Sequence, residues 1–60
     1  MNNLKSIRKK RNMSIAKLSE ETGITSAYIS MLENGKKHNP SLGILKRIAE
    51  ALDTPLSELI

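Results

Sequence analysis

The stretch SIAKLSEETGITSAYISMLENG, residues 14–35, decides the fold. Its apolar residues fall in two short helical stripes on either side of Thr22-Gly23-Ile24, and a hydroxyl residue suited to capping precedes each stripe: Ser14 the first, Thr25 the second. Gly23 supplies the positive φ that ends the first helix. Tyr28, Ile29 and Leu32 form the inward stripe of the second, and Asn34-Gly35 stops it. Ser19 is small where the second helix crosses closely over the first, while Ile24, Ile29 and Leu32 anchor the pair.

Outward from this core, Leu4 and Ile7 with intervening lysines and Arg8 predict an amphipathic helix over about residues 2–11, closed by a left-handed Asn12. Lys9, Lys10 and Arg11 in its last turn complement the negative end of the macrodipole, and a solvated helix end explains them as well as a DNA contact does. Met13 reads as core. Residues 36–40 are polar and irregular, and Ser41 caps a fourth helix in which Leu42, Leu45, Ile48, Ala49 and Leu52 give the clearest helical period in the chain. Asp53-Thr54-Pro55 interrupts it, and Leu56, Leu59 and Ile60 fold back as a final short helix. Valine is absent and no alternating stretch of strand length occurs, so the class is all-α, with five helices.

Composition bounds the rest. Sixty residues without cysteine, tryptophan or phenylalanine, and with one tyrosine, make a single domain, 1–60, whose aliphatic core has no disulfide to staple it. A chain this short buries only about 60% of its unfolded surface, which leaves little room for a catalytic cleft. Ten Lys plus Arg against six Asp plus Glu give +4 and a pI near 9.8, favouring a polyanionic partner, nucleic acid first. The first acid is Glu20, after Lys5, Arg8, Lys9, Lys10, Arg11 and Lys17. No stretch reaches the ~20 apolar residues of a membrane span. His38 is the sole histidine, without a cysteine or second histidine beside it, so neither a metal site nor a nucleophilic triad assembles, and no phosphate-cradling glycine loop is present. The expectation is a chain that is no enzyme and carries no cofactor or metal.

Two short helices meeting at a wide angle across a glycine-containing turn are a helix-turn-helix, here with its core at about residues 15–34. Three blocks extend the likeness: LKSIRKKRNMS (4–14), GITSAYISMLENGK (23–36) and NPSLGILKRIAEAL (39–52). In this order and spacing they resemble the phage Cro and CI type, or XRE, helix-turn-helix repressors. The resemblance covers almost the whole chain.

It implies a compact five-helix bundle of the lambda-repressor type that lays its third helix in the DNA major groove. It places Ser26, Ala27, Ser30 and Met31 at base-facing positions, and Ser14, Thr25, Tyr28, Asn34, Lys36, Lys37 and His38 against phosphate. The base-facing side chains are short and mostly apolar, so Ala27 and Met31 pack on thymine methyls and DNA shape supplies the remaining selectivity. Where similar repressors carry a glutamine at the start of helix two, this chain has Ile15, which either packs on helix three or shifts phosphate binding to the loop. Arg8 and Glu33 match a partly buried ion pair of such repressors.

The implied function is a transcriptional regulator, a repressor in the first instance, that binds a palindromic double-stranded operator as a homodimer in the cytoplasm, nucleoid-associated in a bacterial or phage context. The dimer patch would lie around helices four and five, with Leu56, Leu59 and Ile60 partly exposed. The alternative is a protein-interaction module, such as an antitoxin or co-regulator, built on the same bundle. Exposed apolar anchors would mark that alternative, whereas loop lysines and a polar opening of helix three favour DNA. A controlling protein partner is left open, as is an appended oligomerisation or sensor domain.

Overall fold

The computed structural model describes residues 2–36 and 40–59. They form five helices: α1 (Asn2–Lys10), α2 (Ile15–Thr22), α3 (Ser26–Glu33), α4 (Leu42–Ala51) and α5 (Leu56–Leu59). No strand occurs among the described residues. Leu4, Leu18, Ile29, Leu32, Ile48, Leu52 and Leu59 are almost wholly buried and, with Ile24 and Ala49, make one aliphatic core. All five helices feed side chains into it. α2 packs on α3 and α4, α1 on α3 and α5, and α4 on α5.

The helix ends follow from local chemistry. Ser14, Thr25 and Ser41 are N-caps in extended conformation, their hydroxyls accepting from the amides of Lys17 (3.0 Å), Tyr28 (3.2 Å) and Ile44 (3.2 Å). Three helices stop through a left-handed residue with paired backbone bonds: α1 at Asn12 (φ 55), α3 at Gly35 (φ 73) and α4 at Asp53 (φ 50). In each, the residue after the left-handed one donates five residues back: Met13 to Arg8, Lys36 to Met31, and Thr54 to Ala49. α2 ends at Gly23 (φ 74), whose amide donates to the Ser19 carbonyl.

Several expectations are corrected. α1 ends at Lys10, because Arg11 and Asn12 form the closing turn. Leu42, placed on the inward stripe of α4, is 56% exposed, and the buried face runs through Ile44, Ile48, Ala49 and Leu52 instead. Helical period names a face but not how far the core reaches along it, and Leu42 is the first residue of its helix. Leu59, expected partly exposed, is 1% exposed in the core, while Leu56 is half-buried. Met13, read as core, is only partly buried against it. Ile60 lies outside the described residues.

Candidate nucleic-acid interface

α3 has one buried and one open face. Ile29 and Leu32 are sealed in the core and Tyr28 packs half-buried against it, while Ser26, Ala27 and Met31 are exposed and Ser30 is half-buried between them. Ala27 and Met31 stand four residues apart, one above the other on the same side of the helix. The four residues expected to face bases thus share the uncovered side.

Both ends of this helix are held. At its start, the turn from α2 is locked by hydroxyls: Ser19 Oγ donates to the Ile24 carbonyl, and Thr22 Oγ1 donates to the Leu18 carbonyl (2.7 Å) and accepts from the Ile24 amide (3.2 Å). Buried polar groups need such partners. Ser19 therefore does more than stay small, and Thr22, which the sequence pattern only places in the turn, locks it as well.

At its far end, Glu33 meets Arg8. Arg8 Nε and Nη2 donate to the two carboxylate oxygens at 2.7 and 3.1 Å, and Nη1 donates to the Met13 carbonyl at 2.8 Å. With side chains 9% and 4% exposed, the forked pair is desolvated yet fully bonded. The hydrogen bond to Glu33 raises the Arg8 pKa above its ordinary value, overcoming the desolvation that lowers it. All three guanidinium nitrogens of Arg8 are engaged within the fold.

Around this helix the charges are distributed unevenly. The first turns of α2, α3 and α4 contain no acidic residue, although that position commonly carries one. Their unpaired amide groups and positive dipole ends are left without a carboxylate. The capping residues Ser14, Thr25 and Ser41 are all exposed. Lys36 is exposed just past α3, while Lys37 and His38 lie outside the described residues. Asn34 donates from Nδ2 to Ser30 Oγ (3.3 Å), which partly commits its amide to its own helix. Ile15 is half-buried against the core.

The basic end of α1 divides. Arg11 donates to the Asp53 carbonyl at 3.0 Å, tying α1 to the turn between α4 and α5, whereas Lys9 and Lys10 stay exposed. Asn3 makes a second tie, from Nδ2 to the Glu58 carbonyl at 3.0 Å. Nothing in the one-dimensional pattern announces either contact. Two surface depressions, one lined by residues from Lys46 to Leu56 and one by Glu21, Thr22, Arg47, Glu50 and Ala51, include no residue of α3. No group of three His, Cys, Asp or Glu able to hold a metal occurs among the described residues, and no helix there is long and apolar enough to cross a membrane.

The chain is similar in sequence to several known transcription regulators. The chain is 38% identical over 52 residues to the HTH-type transcriptional regulator SlrR of Bacillus subtilis, covering 87% of this chain and 34% of that protein. It is 35% identical to the HTH-type transcriptional repressor RghR of the same organism, over 95% of this chain and 42% of that protein. To the HTH-type transcriptional regulator SinR of B. subtilis it is 30% identical, over 95% of this chain and 51% of that protein. The chain thus spans between a third and a half of the length of these relatives. A family model described as helix-turn-helix matches residues 4–59, from the first buried leucine of α1 to the last of α5, and on that match the chain belongs to the helix-turn-helix family of the Cro and CI type.

Proposed function

We propose that this chain is a sequence-specific double-stranded DNA-binding transcriptional regulator, acting as a repressor, that inserts α3 into the major groove. The observation that carries this reading is the open face of α3, which exposes the hydroxyl of Ser26, the methyl of Ala27 and the thioether of Met31 on a helix fixed at both ends. A groove-reading element must be rigid and uncovered, and this one is both. Ser26, Ala27, Ser30 and Met31 face base edges, with Ala27 and Met31 against thymine methyls. Ser14, Thr25, Tyr28, Asn34 and Lys36, with Lys37 and His38, hold phosphate, helped by helix starts that carry no acid.

The names of similar proteins, two regulators and one repressor of transcription, support the same reading. One module contacts few base pairs, so selectivity calls for a homodimer on a palindromic operator, with half-sites about 34 Å apart. Residues 1–60 act in this as one domain, with the nucleoid as the place of action.

A binding selection from a random duplex library, run at two salt concentrations, tests the proposal. The expected result is an enriched palindromic motif. Recovery of unenriched sequence, with binding that vanishes at the higher salt, would leave only polyanion attraction. Within that assay, Lys36→Ala should weaken all duplexes alike and lower the salt slope by about one. Met31→Ala should instead relax preference at one base pair, by about 1–3 kcal/mol.

A further inference from the structure

The chain has no cysteine and no tryptophan, so its thioethers are the side chains most open to mild oxidation. Of the methionines described, Met13 packs against the core, whereas Met31 is 36% exposed. Met31 also stands in the middle of the open face of α3, one turn beyond Ala27.

We propose that Met31 is an oxidation-sensitive modification site by which peroxide switches off sequence reading, an inference that rests on the groove-reading role of α3. In the reaction the sulfur lone pair attacks one peroxide oxygen and the O–O bond breaks. That oxygen stays on sulfur as the sulfoxide and the other leaves as water, the thioether losing two electrons and the peroxide gaining them. The product replaces an apolar, polarisable contact with a strongly polar acceptor. A thymine methyl is itself no donor, so the apolar contact is lost and the sulfoxide oxygen must be desolvated against it.

The fold survives the change. Met31 contributes no sealed side chain to the core, and the α3 helix is held by its Thr25 cap, by the Arg8–Glu33 pair and by the bond from the Lys36 amide to the Met31 carbonyl (2.9 Å). Oxidation therefore acts on recognition and leaves stability in place. Because reductases return methionine sulfoxide to the thioether, the switch is reversible.

The test treats the whole chain with hydrogen peroxide, locates the added oxygen by peptide mass, and measures affinity for the duplex recovered by the library selection and for a scrambled duplex of equal length. We expect Met31 to be oxidised ahead of Met13, the helical circular dichroism to be unchanged, and affinity for the selected duplex to fall about tenfold, the scale of one lost base contact. Affinity for the scrambled duplex stays as it was, and methionine sulfoxide reductase restores the lost affinity. Met13→Leu keeps the peroxide response. Met31→Leu, whatever its starting affinity, shows no further fall on treatment. Oxidised wild type that still binds the selected duplex as before, or an equal fall in Met31→Leu, overturns the switch while leaving groove reading intact. Untreated protein that does not distinguish the two duplexes overturns groove reading, and the switch with it.

Discussion

The first and last helices carry their charges with the helix dipole, and the three between them carry theirs against it. α1 ends in Arg8, Lys9 and Lys10 and α5 has Glu58 in its first turn, whereas α2, α3 and α4 have no acid in the first turn and no base in the last. Their carboxylates, Glu20, Glu21, Glu33 and Glu50, gather at the C-terminal ends, where each forgoes about 0.3–1 kcal/mol. Lys17 reaches Glu21 at 3.3 Å, but both are half exposed and the order is the weaker one for such a pair. Only Glu33 is well compensated, by Arg8 from the outer frame. The outer helices are charged along their dipoles, and the inner three leave their positive ends without a carboxylate.

The widest test of this contrast is the joint between the two regions. Glu33→Ala should cost about 3–5 kcal/mol in urea unfolding, because it leaves a buried guanidinium unpaired. Replacing both partners together, as Arg8→Met with Glu33→Leu, should recover most of that loss. A single-mutant loss below about 1 kcal/mol would place the pair in the exposed regime and dissolve the distinction between frame and inner helices. The raised Arg8 pKa fixes the sign of the pH dependence: the contribution is full below the ordinary arginine value and is lost only as pH rises through the higher folded one. Stability from this pair should accordingly be level across neutral and moderately alkaline pH in an unfolding series.

A smaller effect separates backbone from charge. Gly23 sits at φ 74 with nothing within 4 Å of an added Cβ, so Gly23→Ala meets conformational strain alone, about 1–2 kcal/mol in thermal or urea unfolding. A neutral outcome would show that the turn between α2 and α3 relaxes, and that the hydroxyls of Ser19 and Thr22 hold it without the left-handed residue.

The finest test places the same charge in each region. Ala16→Glu, in the first turn of α2, should stabilise the fold by about 0.3–1 kcal/mol while weakening duplex binding, whereas Ser57→Glu on α5 should stabilise by a similar few tenths and leave duplex affinity unchanged. Both positions are exposed, so packing does not intervene. Equal effects of the two on duplex binding would mean that the acid-free helix starts are not reserved for phosphate.

Much of this organisation was legible before any coordinates. Ser14, Thr25 and Ser41 announced three helix starts, and Asn12, Gly23 and Gly35 announced stops, because caps and left-handed turns are local events between residues a few places apart. The exposure of Leu42, the burial of Leu59 and the left-handed Asp53 were not legible. Neither were the ties from Arg11 to the Asp53 carbonyl and from Asn3 to the Glu58 carbonyl, which join residues 42 and 55 positions apart.

Sequence alone determined the number, order and approximate limits of the helices, the net positive charge, and which side chains could stand on the outer face of α3, since these depend on periodicity, capping chemistry and composition. Tertiary structure decided which apolar residues were enclosed, which cations were spent inside the fold and which stayed exposed. That division is physical: burial and pairing are properties of distances between remote parts of the chain, and those distances exist only after the helices have packed.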